Sequence, residues 1–222
     1  MALLPAVPRT TTPNATPLQA EFLPGAPEPG SAWAGVRALT LPAGSPGHDL
    51  ATWVGLQRQG QPLWRVDVDA SAGHSCFREL CCVGVSAFVG VGESLFVLNA
   101  RSGAVQHWPM DGYFGSLYPC HDLPGLDTGV LVASATALLR LDNEGRMLWH
   151  TQALGCDGVL VHYISQGVVH GSGECDPPGG WVDFRLDVHT GQRMDPPPAT
   201  GPKRPRPWAS WLHLRVHALA GV

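Results

Sequence analysis

The 222-residue chain is long enough for one domain with a real core and short tails. A formal charge of −4, with only 14% charged residues, speaks against a general nucleic-acid binder. The 27 glycines and 21 prolines indicate a turn-dense chain of many short strands.

Residues 1–31 are rich in Pro, Thr and Ala without periodicity and read as a mobile leader. Met1-Ala-Leu-Leu-Pro5 lacks the basic start of an export signal, so Asn14-Ala15-Thr16 reads as a chance sequon. Ala32–Leu41 is expected to begin the first strand, and Pro42–Gly47 a loop. Residues 51–70 form a first repeat whose outgoing strand is Trp64–Asp69. Asp67 and Asp69 share a face of that strand, which suggests a solvated surface rather than a cation site. After a polar link at 71–79, a second repeat occupies 80–109. Its most apolar window, Leu80–Leu98, contains Glu93 and several glycines and alternates like paired strands, so it is no spanning helix. The chain therefore reads as soluble and cytoplasmic, with no membrane partner.

Asp111–Gly125 is a connector containing Cys120-His121-Asp122. A thiol beside an imidazole suggests a nucleophile or a metal ligand, yet adjacent residues in a chain do not usually converge on one point. A third repeat follows at 128–152 and a fourth at 157–194. Beyond Met194, Asp195-Pro-Pro-Pro198 ends the pattern, Lys203-Arg-Pro-Arg206 forms a small basic cluster in a solvated tail, and Trp208–His217 alternates enough to be a closing strand. The six cysteines (76, 81, 82, 120, 156 and 175) form no CxxC pair and do not follow the repeat. They read mostly as small buried residues in a reducing compartment, disulfides remaining open if the chain is exported. Adjacent Cys81 and Cys82 point to opposite faces of a strand, so at most one is expected in the core.

The repeat is the organising feature. Leu56, Leu98, Leu141 and Leu186 are spaced by 42, 43 and 45 residues, and the turn glycines Gly60, Gly103, Gly145 and Gly191 keep step. Trp64, Trp108 and Trp149 follow in three copies, with Met194 nearby in the fourth. Each copy reads as a hairpin: alternating strand, polar turn closed by a glycine free to take positive φ, and a returning strand carrying the aromatic. A period near 43 residues with several strands per unit is the size of one propeller blade. Regular hairpins of a β-sandwich are the alternative.

The units LNARSGAVQHW, LDNEGRMLW and LDVHTGQRM resemble the Leu-Asp-x-x-(Ser/Thr)-Gly-x-x-x-Trp repeat of quinoprotein-like (PQQ-like) β-propellers, over about residues 52–195. The resemblance implies an all-β array of four to five blades. No acidic and Asn cluster matches the calcium and quinone site of the quinoprotein enzymes, which close eight blades, so no cofactor is expected. Asp157–Gly191 also resembles stretches of uncharacterised bacterial proteins, which implies no activity.

Motifs for catalysis are missing: there is no phosphate loop, nucleophile elbow or HExxH. The densest polar group is His162, His170, Glu174, Cys175 and Asp176, followed by Pro177-Pro-Gly-Gly180 and Trp181. His162 and His170 are expected to face each other across a hairpin turning at Ser165-Gln-Gly167. The residues thus point to a repetitive β domain at 32–195, between the leader and a basic tail at 196–222, acting as a non-catalytic binding or scaffold module. His162, His170, Glu174, Asp176 and Trp181 form the candidate ligand-binding group, for a protein or peptide partner held on loops. A small metal-dependent hydrolase or lyase using His162, His170 and Glu174 is the alternative. Monomer and dimer both fit.

Overall fold

The computed structural model describes residues 16–42, 50–69, 77–176 and 179–194. Most of the leader, the loop after Pro42, Cys76, the basic tail and the expected closing strand at Trp208–His217 lie outside the described residues. Fifteen strands among the described residues form four sheets. The first contains β1 (Gln19–Leu23), β2 (Ala38–Leu41), β3 (Leu50–Arg58) and β4 (Gln61–Asp69), ordered β1-β3-β4-β2. Here β2 runs parallel to β4, and the other pairs are antiparallel.

The next two sheets are simple meanders. β5 (Arg78–Val83), β6 (Ser86–Val91), β7 (Ser94–Asn99) and β8 (Val105–Pro109) form the second. β9 (Phe114–Pro119), β10 (Val130–Ser134), β11 (Leu138–Leu141) and β12 (Met147–Thr151) form the third. The fourth has three strands, β13 (Val159–Ser165), β14 (Val168–Glu174) and β15 (Trp181–Asp187). Each repeat read from the sequence thus supplies most of one sheet. Two expectations shift at the N-terminus. β1 lies in the stretch read as leader, and only Ala38–Leu41 of the expected Ala32–Leu41 strand is extended.

The sheets stack face to face in chain order, and three apolar layers fill the gaps. Val54, Leu56, Trp64 and Val66 of the first sheet meet Ala87, Val89, Phe96 and Leu98 of the second. Phe88, Leu95 and Val97 turn the other way, onto Phe114, Leu117, Val130 and Leu139 of the third. Tyr118, Leu131, Leu138 and Trp149 then meet Val161, Val169, Phe184 and Leu186 of the fourth. Because the middle sheets are covered on both faces, β10 and β11 are buried at every position and their apolar runs do not alternate. The same double cover corrects the expectation for Cys81 and Cys82. They do point to opposite faces, but each packs on a core layer, Cys82 toward the first sheet and Cys81 toward the third. The first strands are also neighbours: β1 lies against β5, β5 against β9 and β9 against β13. Glu79 fastens one of these junctions, its carboxylate accepting from the Leu117 amide at 2.7 Å and from the Ser116 hydroxyl at 2.9 Å.

The physical content of the repeat is a turn that holds the tryptophan of the preceding sheet. After Leu98, Leu141 and Leu186 come Asn99, Asp142 and Asp187, and each side-chain oxygen accepts from amides two to four residues ahead. Hydrogen bonds from Thr190 hold the Asp187 carboxyl below its usual value. Burial acts the opposite way on Asp142, but the bonds from Arg146 outweigh it and lower that carboxyl too. Each turn closes on a positive-φ glycine: Gly103, Gly145 or Gly191. Trp64 donates its indole N–H to Ala100 O at 2.9 Å, Trp108 to Gly145 O at 3.1 Å and Trp149 to Val188 O at 2.9 Å. The rings of Trp64 and Trp149 lie on Gly103 and Gly191, where a Cβ would come within 2.4 and 2.6 Å of ring carbon.

The first repeat departs from this scheme. Gln57 stands where the others carry Asn or Asp, and Gln59 and Gly60 close a two-residue hairpin, both at positive φ. Among the described residues no side chain covers Gly60. Trp33 packs instead on the outer face of this sheet, its ring occupying the space a Cβ on Gly55 would need. Asp67 and Asp69 lie on that face and are only 5% exposed each, which overturns their reading as a solvated surface. Asp67 takes a two-pronged ion pair from Arg65, Nε to Oδ1 at 2.8 Å and Nη2 to Oδ2 at 2.9 Å.

Candidate functional site: the outer face of the fourth sheet

The fourth sheet packs one face on the third and turns the other outward. Val159, Val161, Ile164, Val169, Phe184 and Leu186 fill the inner face. The β13–β14 hairpin turns at Gln166 and Gly167, both at positive φ, as the sequence suggested. Register then fixes the outer face, because residues paired across antiparallel strands project to the same side. Leu160 pairs with Ser172, Tyr163 with His170, His170 with Arg185 and Glu174 with Trp181.

A bulge between Val161 and Tyr163 changes the expected relation of the two histidines. His162 does not stand opposite His170; the extra residue gives that place to Tyr163 and leaves both His162 and Tyr163 outside. The Tyr163 and His170 rings stack, centroids 4.4 Å apart and planes at 17°. His162 Nε2 lies 2.9 Å from Ser172 Oγ. Glu174 is at the far end of β14 beside Trp181, whose ring lies above Gly158 so closely that a Cβ there would be 3.2 Å away. Asp176 is exposed at the rim, and its amide donates to Cys156 Sγ at 3.1 Å. The five predicted residues therefore lie along one face and its rim rather than around one point. Among the described residues, no three His, Cys, Asp or Glu side chains gather as a metal ion would require.

What the face offers is apolar and aromatic area edged by polar groups. Leu160 is 39% exposed, Tyr163 49% and Trp181 48%, large values for such side chains. Sequence reasoning missed Leu160 and Tyr163. The signal was present: in Val-Leu-Val-His-Tyr-Ile, two polar-faced residues in succession break strict alternation between Val161 and Ile164, which is the mark of a bulge. No family model and no curated protein matches the chain. The functional reading therefore rests on this surface.

The second place with chemistry is an open groove of about 650 Å3 beside β1 and β5, lined in part by Leu18, Glu21, Gln57, Cys81, Cys82 and His121. Burial pushes the Cys81 thiol strongly up and the Cys82 thiol up to about 11, which leaves both protonated at neutral pH and unsuited to nucleophilic attack. Cys120 packs partly into the core while His121 projects into solvent, so the neighbouring pair does not converge, in line with expectation. Among the described residues no helix is long and apolar enough to cross a membrane.

Proposed function

We propose that the chain is a non-catalytic binding module, a propeller-like array of blades that engages a protein or peptide partner through the outer face of its fourth sheet. The blade reading is supported by successive sheets with their first strands side by side and by each tryptophan seated on the next sheet's turn. The observation that carries the binding reading is the exposed row of Leu160, Tyr163 on His170, and Trp181. Aromatic anchors with polar groups at their edges are the usual composition of protein interfaces. Rigid strands, rather than a loop, hold these anchors in place before any partner arrives, which lowers the ordering cost of association.

The full chain and its Tyr163→Ala/Trp181→Ala variant, used as paired baits, test this. A partner retained by the wild-type chain and lost from a variant of unchanged thermal midpoint is the expected result. A partner retained equally by both baits would refute the assignment of the surface.

A further inference from the structure

We infer that Cys156 and Cys175 form an oxidation site: a dithiol that a hydroperoxide converts to an intramolecular disulfide. The two thiols are free, Cys156 exposed and Cys175 half-buried. They lie on adjacent segments, one just before β13 and one just after β14. Glycines make this approach possible. A Cβ on Gly173 would come within 1.8 Å of Leu154 O, and one on Gly155 within 3.1 Å of Glu174 N, so both positions need to lack a side chain. The segments are joined by hydrogen bonds from Cys156 N to Glu174 O at 2.7 Å and from Glu174 N to Gly158 O at 2.9 Å.

That first bond bounds the separation of the two cysteines. With the N–Cα bond of Cys156 and the fixed reach from oxygen to Cα across the planar Glu174–Cys175 peptide added to 2.7 Å, the Cα atoms of Cys156 and Cys175 cannot be more than about 7 Å apart, and the bends at N and O bring them closer. This reaches the range of disulfides, about 4.4–6.8 Å between Cα atoms. The Cys156 sulfur already lies 3.1 Å from the amide nitrogen that follows Cys175, and the Cys175 sulfur is a weak donor to Gly173 O at 3.8 Å. Rotation of the Cys175 side chain toward Cys156 therefore gives up little.

The chemistry balances with one peroxide. The more exposed Cys156, as thiolate, attacks a peroxide oxygen; the O–O bond breaks, a sulfenic acid forms, and the leaving oxygen takes a proton to depart as water or alcohol. The Cys175 thiolate then attacks the Cys156 sulfur, the S–OH bond breaks, the S–S bond forms, and hydroxide takes up the second proton as water. Two thiols are oxidised and the two peroxide oxygens reduced. The product ties the segment under Trp181 to the end of β14 and can be tested independently of any binding partner.

The test uses the folded full chain with hydrogen peroxide, acid quench, alkylation under denaturing conditions and tryptic mass spectrometry without reduction. Residues 147–185 contain no Lys or Arg before Arg185 and hold just these two cysteines, so one peptide reports on both. The expected product is that peptide lighter by two hydrogens with neither thiol alkylated, restored by a dithiol reductant. Alkylation of both thiols after peroxide, separate sulfinic acids on each, or linkage of either to another cysteine would each overturn the inference.

Discussion

Trp149→Ala is expected to destabilise the fold by about 4 kcal/mol, the usual scale for removing a buried aromatic side chain. Trp149 is buried between the third and fourth sheets, its ring on Gly191 and its N–H bonded to Val188 O. Arg140 also donates to that carbonyl, at 2.7 Å, so the loss is chiefly one of packing rather than of an orphaned acceptor. Trp149→Phe retains most of the ring and is expected to cost about 1–2 kcal/mol. Trp181→Ala, at a half-exposed position, is expected to change stability by less than about 1 kcal/mol. Denaturant midpoints of the three variants check the contrast. Equal midpoints for Trp149→Ala and Trp181→Ala would show that the repeat tryptophan does not hold the sheets together.

Asp67→Ala is expected to cost about 3 kcal/mol, because it leaves Arg65 partly buried without its carboxylate. The magnitude comes from breaking a pair, not from the worth of the pair. Arg65→Met with Asp67→Leu removes both charges and is therefore expected to lose much less than the single change, despite being two substitutions. Thermal unfolding of the single and double variants separates the two cases. A single variant as stable as the wild type would show that the outer face of the first sheet is open to water.

These two sites also show what a sequence conveys and what it hides. The Leu and Gly repeat was legible because its physics is local: a strand, a side-chain-capped turn and a glycine at positive φ lie within about ten residues of one another in the last three copies. The seat of each tryptophan was not, since it lies on the following sheet some 40 residues away; Trp149 reaches Val188 across 39 positions. Asp67 and Asp69 looked solvated because alternation assigns a polar face without saying what packs on it, and here both are buried on a face where Trp33 also packs, from a segment expected to be strand that forms a turn instead. β1 was hidden by its composition: Gln-Ala-Glu-Phe-Leu has no β-branched residue and is stabilised by pairing with β3. At the candidate site the hairpin, its turn and the outward histidines were legible. The bulge moved their register by one residue, which separated His162 from His170 and brought Tyr163 into the surface.

Hydroxyl-radical footprinting of the full chain, with mass spectrometry comparing native and denatured protein residue by residue, tests the open fourth-sheet face most directly. The account predicts that Tyr163 and Trp181 are modified in the native protein nearly as fast as in the denatured one, while Trp64 and Trp149 are strongly protected. Protection of Tyr163 and Trp181 to the level of Trp149 would mean that the face is already covered within the chain, and would contradict its role as the contact surface.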